Sequence, residues 1–459
     1  MTTNNSCDLI KFGYGKRDIT PSLGHPITGY YEPRNVKGVI DPLFVRTVLF
    51  DNGANRAVLV SMDHIGLDKD LCTLIRERIG KAVSVDPDAV FINFSHTHTG
   101  PLVGVDFACD IASDPAYTDH MVYQCVCAAV EASQNMAPGK LYYAKTSAKG
   151  ISFVRRYKLK DGTVKTNPGN PKFNNIIDYV LGEPDESLRL LKIVREDADD
   201  LYIVHFGTHA DTVSGEYVCS DWPGHVCSTL EGAIPGSKCL CLIGCQGDVN
   251  HTNYLDRNGF GRIKSDRADV DYREQAAHAR YMARVIAGNI LAVCDKAEPL
   301  SGSDIGFGAV EVAVPVDLKE YTPEEWEEAE KNFAVYLEWF HRHEGDKKPT
   351  TTGAIVKATK MLRLKDEKPF HTFSVYALKL GDFVLAGLPG ETFTDIGRQI
   401  YAGSPYDKMM VCCLTNAAPG YFPIRDAFND GGYESNTTSY KIGSDEILVE
   451  GMKKLLNQL

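Results

Sequence analysis

The sequence predicts an α/β fold with central mixed β-sheets flanked by helices. Six short apolar runs, rich in β-branched and aromatic residues, are typical of buried strands. They alternate with longer segments in which apolar residues recur every three or four positions, as on one face of a helix. With 459 residues, 43% of them apolar, the chain is long enough for one large domain with a sizeable core.

The predicted elements follow one another along most of the chain. Strands are expected at 56–61, 89–94, 201–206, 240–244, 383–387 and 409–414. Helices are expected at 68–83, 120–135, 270–295, from 322 onward and at 444–456. Residues 158–172 contain Asp-Gly and Asn-Pro-Gly turn signals and are expected to form a polar loop.

Residues 1–459 are interpreted as a single catalytic domain. The best candidate for an internal boundary is 298–303, where the composition becomes small and polar. The helix beginning after Thr322 has a capping-box pattern, with Glu325 three residues on and Pro323 in the first turn. Its apolar stripe is predicted to pack in a core, with a role as a substrate lid left open. The stripe consists of Trp326, Ala329, Phe333, Tyr336, Leu337 and Phe340.

Composition excludes several classes of partner. The net charge of −12 argues against a nucleic-acid surface and against docking on anionic lipid, so we expect a small-molecule substrate. No apolar stretch reaches the ~20 residues that a membrane-spanning helix needs. The N-terminus lacks a basic start and an apolar core, and several of the 13 cysteines lie inside apolar runs. We therefore expect a cytoplasmic protein with reduced thiols, and leave its oligomeric state open.

Polar residues that could bind a ligand or a metal ion follow each predicted strand. In chain order, these residues are Asp63 and His64, His96 and His98, His209 and Asp211, Asp248 and Asn250, Glu391, and Asn416 and Tyr421. In α/β sheets, the ends of several strands commonly contribute to one ligand site. Imidazole and carboxylate groups are common zinc ligands, so these residues could form a zinc site. The alternative is that these residues are unrelated caps and loop ends. His205 lies inside its strand and is expected to be a core histidine.

Several short motifs resemble the neutral/alkaline (non-lysosomal) ceramidases, a family of zinc-dependent amidases. The segment Ser-His-Thr-His-Thr-Gly-Pro at 95–101 is similar to that family's His-Thr-His-Ser/Thr-Gly-Pro signature. Further matches follow in the same order: the histidine segment 204–209, Ser-Asp-Trp-Pro-Gly at 220–224, Gly-Asp-Val at 247–249, Pro-Gly-Glu at 389–391, Asn-Ala-Ala-Pro-Gly-Tyr at 416–421 and Tyr-Glu at 433–434. The resemblance runs from about residue 13 to about residue 440 and covers the family's catalytic domain.

The resemblance implies a four-layer α/β/β/α domain and a set of site residues. It implies zinc on four side chains and substrate contacts from three more. The implied zinc ligands are His96, His209, Glu391 and Tyr421. The residues implied to contact the substrate are His98, Arg155 and Tyr433. As a further catalytic residue we add Asp248, which we expect to orient a neighbour or accept a proton.

The sequence also departs from the family. Asn250 stands in place of the serine that follows Gly-Asp-Val, and we expect no C-terminal immunoglobulin-like domain. We therefore predict a zinc-dependent amidase that uses metal-activated water on a small or medium polar amide. Hydrolysis of an ester, lactone or glycoside, and a non-catalytic metal-containing binding protein, remain as alternatives. Arg155 and Arg156 indicate either an anionic or polyhydroxylated substrate group or a solvated charged turn.

Overall fold

The computed structural model describes residues 10–106, 111–168, 176–255, 271–342 and 349–459. In these ranges the chain forms mixed β-sheets flanked by helices, so the predicted α/β fold is confirmed. No helix in this part of the chain combines the length and apolar character needed to cross a bilayer.

The first sheet contains nine strands. In chain order they are β1 (Lys11–Asp18), β2 (Phe44–Asp51), β3 (Arg56–Met62), β4 (Val90–Phe94), β5 (Ala137–Ser147), β6 (Ser187–Arg195), β7 (Asp200–Phe206), β8 (Ser237–Ile243) and β9 (Glu298–Pro299). Eight of them run in the spatial order β8-β7-β6-β5-β1-β2-β3-β4, and β9 pairs beside β5. Neighbours are antiparallel except for β3 with β4 and β7 with β8, which are the outermost pairs.

The second sheet has four strands and follows the predicted boundary at 298–303. Its strands are β10 (Ile305–Pro315), β11 (Phe370–Leu380), β12 (Phe383–Gly387) and β13 (Lys408–Cys412), in that spatial order. It packs face to face on the first sheet, since Phe50 and Leu191 share one apolar core with Leu378 and Phe383. The void left between the two sheets is only about 10 Å³. The segment 298–303 therefore joins two sheets that bury a common core.

Ten helices are present in the described ranges. They are α1 (Lys69–Val83), α2 (Pro115–Gln134), α3 (Asp221–Ala233), α4 (Tyr272–Val293), α5 (Pro323–Arg342), α6 (Thr352–Arg363), α7 (Thr394–Gly403), α8 (Arg425–Asp430), α9 (Tyr433–Thr437) and α10 (Ser444–Leu456). Helices α2, α3 and α4 pack on the first sheet, whereas α7 and α10 pack on the second. The layers are therefore helix, sheet, sheet and helix, as the resemblance implied.

Several short strand pairs complete the connections. They join Gly38–Val39 to Tyr217–Val218, Phe153–Val154 to Val249–Asn250, Glu391–Thr392 to Tyr421–Phe422, and Val105–Asp106 to Ile111–Ala112. Strand Arg156–Leu159 pairs with both Val164–Thr166 and Ile177–Val180. The polar loop expected at 158–172 is therefore wrong in part, because the chain turns back as a hairpin at Asp161-Gly162; residues 169–175 lie outside the described ranges.

Helix α5 has the predicted start and the predicted packing. Thr322 Oγ1 accepts a hydrogen bond from the Glu325 N–H at 3.2 Å, and Glu325 Oε2 accepts from the Thr322 N–H at 3.1 Å, which completes the capping box. The apolar stripe of α5 packs against α6 and against Tyr31. The stripe is therefore a packing surface, and α6 is the member of this pair that lines a cavity.

Candidate metal centre

Three histidines come together beyond the ends of two strands. His96 and His98 follow β4, and His209 follows β7. Their ring nitrogens lie within 4.8 Å of one another. His96 adopts a left-handed backbone conformation (φ 62°), and its N–H donates to the carbonyl of His64. This turn directs the rings of His96 and His98 to the same side, with centroids 4.9 Å apart.

Each of the three rings is held by its Nδ1 atom. His96 Nδ1 lies 2.6 Å from the Ile65 carbonyl, His98 Nδ1 lies 3.0 Å from the Gly29 carbonyl, and His209 Nδ1 lies 3.0 Å from the Gln246 carbonyl. A carbonyl only accepts, so the ring proton of a neutral histidine must be on Nδ1. The three Nε2 atoms therefore present lone pairs toward one another, which is the tautomer required of a metal ligand.

Glu391 brings a carboxylate oxygen into the same space. Its Oε2 lies 3.2 Å from His96 Nε2 and 3.1 Å from His209 Nε2, and it is 8% exposed. Burial, followed by the positive charge of Arg155, lowers the pKa of His209 well below its usual value. Burial alone would raise the pKa of Glu391, but His96 and His209 outweigh it and lower that pKa. A carboxylate oxygen thus lies in contact with two imidazole nitrogens.

This donor set fits a divalent metal ion. His96 Nε2 is buried and makes no hydrogen bond of good geometry, although a carboxylate oxygen is 3.2 Å away. Three atoms that carry lone pairs repel one another at such distances unless a cation lies among them. Imidazole nitrogens with a carboxylate oxygen form the usual ligand set of catalytic zinc. The residues that would hold the ion are His96 and His209, together with Glu391 in contact with both, and His98 lies within reach of the same nitrogens.

Two tyrosines border the cluster. Tyr421 pairs with Glu391 in the short parallel strands that carry them, and its ring packs edge-on against Tyr433 with centroids 5.7 Å apart. Both tyrosines line the cavity above the histidines. Burial raises the pKa of each phenol well above its usual value. Without a metal, Tyr421 is therefore a neutral phenol, and ligation as phenolate would require the ion's charge.

Arg155 supplies a fixed positive charge next to the cluster. Its NH1 group lies 3.3 Å from His209 Nε2, and its guanidinium lies 5.4 Å from the centre of the Tyr421 ring. Its Nε donates to Glu434 Oε1 at 2.8 Å, and NH2 donates to the Gly247 carbonyl at 2.8 Å. Arg155 and Arg156 are each less than 5% exposed, so the solvated-turn interpretation of this pair is wrong.

Asp248 is not directed at the histidines. Its Oδ1 accepts from the Thr394 N–H at 2.7 Å and its Oδ2 accepts from the Thr394 hydroxyl at 2.8 Å, at the start of α7. Its backbone carbonyl accepts from the Arg155 N–H, so Asp248 contributes to positioning that arginine. The nearby Asn250 side chain donates to Asn167 Oδ1 at 2.7 Å and accepts from the Thr252 N–H. The predicted catalytic role of Asp248 stays a prediction.

A cavity of about 570 Å³ opens above the cluster. His96, His98 and Glu391 form part of its floor, and apolar side chains such as Leu102 and Val356 line its walls. Lys360 and Arg363, on α6, also line it. Volumes between 300 and 1,000 Å³ are typical of sites for small ligands.

Sequence reasoning missed part of the surroundings of His98. The Tyr30 hydroxyl donates to Asp211 Oδ1, and that oxygen lies 3.8 Å from His98 Nδ1. Arg34 NH2 donates to the His98 carbonyl at 3.0 Å. Asp211 was visible in the sequence as a polar residue after a strand, but Tyr30 and Arg34 lie in an irregular segment with no pattern to identify them. Only the folded chain brings these residues to His98.

Comparison with known proteins identifies the fold. No family model matches the chain, and no curated protein sequence matches it. Among solved structures, it is similar to neutral ceramidase from Pseudomonas aeruginosa, with a TM-score of 0.70 and 16% identity over 98% of this chain and 75% of the other. It is also similar to a ceramidase complexed with C2, with a TM-score of 0.71 and 15% identity over 98% of this chain and 76% of the other. The predicted ceramidase-like fold is confirmed.

Proposed function

We propose that this protein is a zinc-dependent amide hydrolase acting on a small or medium polar amide. The observation that carries the proposal is the convergence of three imidazole nitrogens and one carboxylate oxygen, from residues of which His96, His98 and Glu391 line a cavity. The ceramidase-like fold supports it, because both similar structures are named as ceramidases.

His96, His209 and Glu391 would hold the zinc ion, which would supply a bound water with a pKa of about 7 and the polarisation of a carbonyl group. The chain's own residues then orient the substrate. Arg155 stays positively charged next to the cluster and would stabilise negative charge that develops on the substrate oxygen, a contribution worth roughly 3 kcal/mol for one well-placed donor. Tyr433 faces the same cavity and would donate from its neutral phenol.

The route of attack is restricted by residue 250. The family's serine is replaced here by Asn250, whose amide is engaged by Asn167 and the backbone of Thr252. An amide held in this way is a poor nucleophile, so we infer direct attack by activated water rather than a covalent intermediate on residue 250. An Asn250→Ser variant that raised turnover by orders of magnitude would contradict this inference.

The size and walls of the cavity favour a substrate of modest size with a polar end. Apolar side chains cover part of the wall, but Asp68, Lys360 and Arg363 bring charged groups to the cavity as well. A long unbroken hydrocarbon chain would desolvate these charged groups without replacing their hydrogen bonds. We therefore infer an acyl amide with a polar or charged substituent in preference to ceramide.

Metal content tests the first half of the proposal. Zinc-loaded protein is compared with a His96→Ala/His209→Ala variant by elemental analysis and activity. We expect the variant to lose about one zinc ion per chain relative to wild type, because two nitrogen ligands are removed, and to lose turnover. His341→Ala, at the end of α5, is the matched control and should keep both. Equal zinc content in the double variant and wild type would refute the metal centre.

A substrate panel tests the second half. N-acyl amino acids, neutral long-chain amides, esters, lactones and glycosides are offered to the zinc-loaded protein. We expect hydrolysis of short and medium polar amides. Turnover confined to esters, lactones or glycosides would replace the amidase assignment, and no turnover with zinc bound would favour a binding protein.

A further inference from the structure

A second cluster of metal-ligating side chains lies behind the candidate metal centre. Asp41 follows the short strand Gly38–Val39, and Cys219 follows its partner Tyr217–Val218. His225 lies in the first turn and a half of α3. Asp41 Oδ2 lies 3.1 Å from His225 Nε2 and 3.2 Å from Cys219 Sγ, and the three ligand atoms are within 4.8 Å of one another. We call these three residues the Asp-Cys-His cluster.

The Asp-Cys-His cluster shares a geometric feature with the candidate metal centre. His225 is 6% exposed, and its buried Nε2 makes no hydrogen bond, although a carboxylate oxygen is 3.1 Å away. A ring N–H at that distance would normally point at the oxygen. His96 Nε2 has the same relation to Glu391, at 3.2 Å. Across the described ranges, these two places are where three or more such ligands meet.

The chemistry of the Asp-Cys-His cluster matches zinc or a similar divalent transition metal. A tetrahedral ion with bonds of about 2.0 to 2.3 Å separates its ligand atoms by roughly 3.3 to 3.8 Å. The observed distances of 3.1 and 3.2 Å are within a few tenths of that spacing. One carboxylate and one thiolate would neutralise the charge of the ion, and imidazole completes three ligands. The Asp221 N–H donates to Cys219 Sγ at 3.3 Å, which is the kind of outer contact that steadies a bound thiolate.

We propose that Asp41, Cys219 and His225 form a second, structural site for a divalent transition metal, with zinc the expected ion. Asp41 is the partly exposed member, with 22% of its side chain accessible, so the ion can enter from solvent beside it and keep a water as fourth ligand. This site is separate from the candidate metal centre and does not depend on the proposed hydrolase function.

The second site would stiffen the segments that carry the first. The Cys219 carbonyl accepts hydrogen bonds from Thr97 Oγ1 at 2.6 Å and from Thr99 Oγ1 at 3.2 Å, on either side of His98. Trp222 Nε1, at the start of α3, donates to the His209 carbonyl at 3.2 Å. An ion that fixes Cys219 and the first turns of α3 therefore fixes the backbone behind all three histidines. We expect its loss to weaken metal binding at the first site without abolishing it.

Cobalt substitution tests the proposal in the intact protein. Thiolate bound to Co²⁺ gives a near-ultraviolet charge-transfer band, and the candidate metal centre contains no thiol. We expect Co²⁺-loaded wild type to show this band and to hold about two ions per chain. His96→Ala/His209→Ala should keep the band and about one ion. Cys219→Ser should lose the band and keep about one ion, with Cys127→Ser on α2 as a control that changes neither.

The outcomes separate this proposal from the hydrolase. A thiolate band that disappears in Cys219→Ser supports the second site whether or not any substrate is hydrolysed. Wild type that binds Co²⁺ without a thiolate band, or whose ion count is unchanged in Cys219→Ser, overturns it. If Cys219→Ser does not fold, the wild-type spectrum and the band in His96→Ala/His209→Ala still decide.

Discussion

Glu434 is the counter-charge of two buried arginines that lie beside the candidate metal centre. It is fully buried, and its Oε1 accepts from Arg155 Nε at 2.8 Å, while Oε2 lies 3.7 Å from Arg156 Nε. Thr166 Oγ1 donates to Oε2 at 2.8 Å. A buried charge is costly unless it is paired and hydrogen-bonded, so Glu434 offsets the desolvation of both guanidinium groups. It thereby holds Arg155 against His209.

Replacing Glu434 should destabilise the fold strongly. In Glu434→Gln the two arginines lose their counter-charge but keep their burial, and we expect the free energy of unfolding to fall by about 3 kcal/mol. Urea unfolding followed by circular dichroism measures the change. Glu338→Gln, which breaks the exposed Glu338–Arg342 pair on α5, is the control and should alter stability little. Equal effects of the two variants would contradict this role.

His205 behaves as the core histidine that its position in β7 predicted. Its Nε2 lies 2.9 Å from the Val411 carbonyl, across the interface between the two sheets, and the residue is 2% exposed. Burial, then the charge of Arg189, lowers the pKa of His205 to about 4. The neutral ring is therefore part of the folded state over the physiological range.

The lowered pKa of His205 predicts a loss of stability in mild acid. Between pH 6.5 and 4 the unfolded chain takes up a proton at this residue and the folded chain does not, so its contribution is complete above pH 6.5 and lost progressively down to pH 4. A difference of this size corresponds to about 3 kcal/mol. His205→Gln should flatten the pH dependence of urea unfolding in that window, whereas His120→Gln, exposed on α2, should not. An unchanged slope in His205→Gln would disprove the assignment.

At the scale of elements, the close packing of α2 on β1 depends on two glycines. A Cβ at Gly13 would overlap the carbonyl oxygen of Ala132, and a Cβ at Gly15 would overlap that of Ala128. The backbone of α2 thus lies directly on the strand, without intervening side chains. This contact keeps the outer helix layer close to the centre of the first sheet, where β1 lies.

Gly13→Ala should therefore be strongly destabilising, by about 2 kcal/mol or more, since backbone rather than a side-chain end must shift. Thermal unfolding measures the change. Gly288→Ala provides the opposite control: a Cβ there meets open space in the interior of α4, and we expect a gain of about 0.5 to 1 kcal/mol from helix propensity. A neutral Gly13→Ala variant would show that α2 can move outward at no cost.

For the whole molecule, Asn93 joins the ends of three strands. Its Oδ1 accepts from the Ile243 N–H at 2.8 Å, at the end of β8, and its Nδ2 donates to the Cys413 carbonyl at 2.7 Å, just after β13. Ser61 Oγ, in β3, donates to the Cys241 carbonyl at 2.8 Å, so the two outermost strand pairs of the first sheet approach each other. This closure brings the segments after β4 and β7 together and so assembles the candidate metal centre.

Asn93→Ala should loosen that closure. It leaves a buried N–H and a buried carbonyl without their partner, and we expect the free energy of unfolding to fall by about 3 kcal/mol. The same variant should release zinc faster in a chelator competition, because the backbone three residues before His96 is less restrained. Asn457→Ala, at the exposed end of α10, should change neither measurement. A stable variant with unaltered zinc release would show that the closure does not depend on Asn93.

Local signals in the sequence predicted many of the strands and helices. The strands at 201–206 and 383–387, the final helix and the capping box before α5 depend on apolar periodicity and neighbouring residues, and the structure confirms them. Strands such as β10 were missed because their residues alternate between buried and exposed positions and form no continuous apolar run. Helix α6 and its role in the cavity were also missed. The packing of α6 on α5 decides which face of α6 is covered, and the sequence does not show this packing.

The sequence by itself determined which strand ends carry chemistry: the histidines after β4 and β7 and the glutamate after β12 were visible as polar residues following apolar runs. Only the tertiary structure decided how these ends meet and what surrounds them. Asp248 contacts Thr394 at the start of α7, and the Tyr30 hydroxyl donates to Asp211. Asp41 contacts Cys219, which is more than a hundred positions later in the sequence. The physical reason is that sequence patterns report contacts between residues only a few positions apart. A site of this kind is made of contacts between residues more than a hundred positions apart. Only the packing of whole sheets and helices brings such residues together.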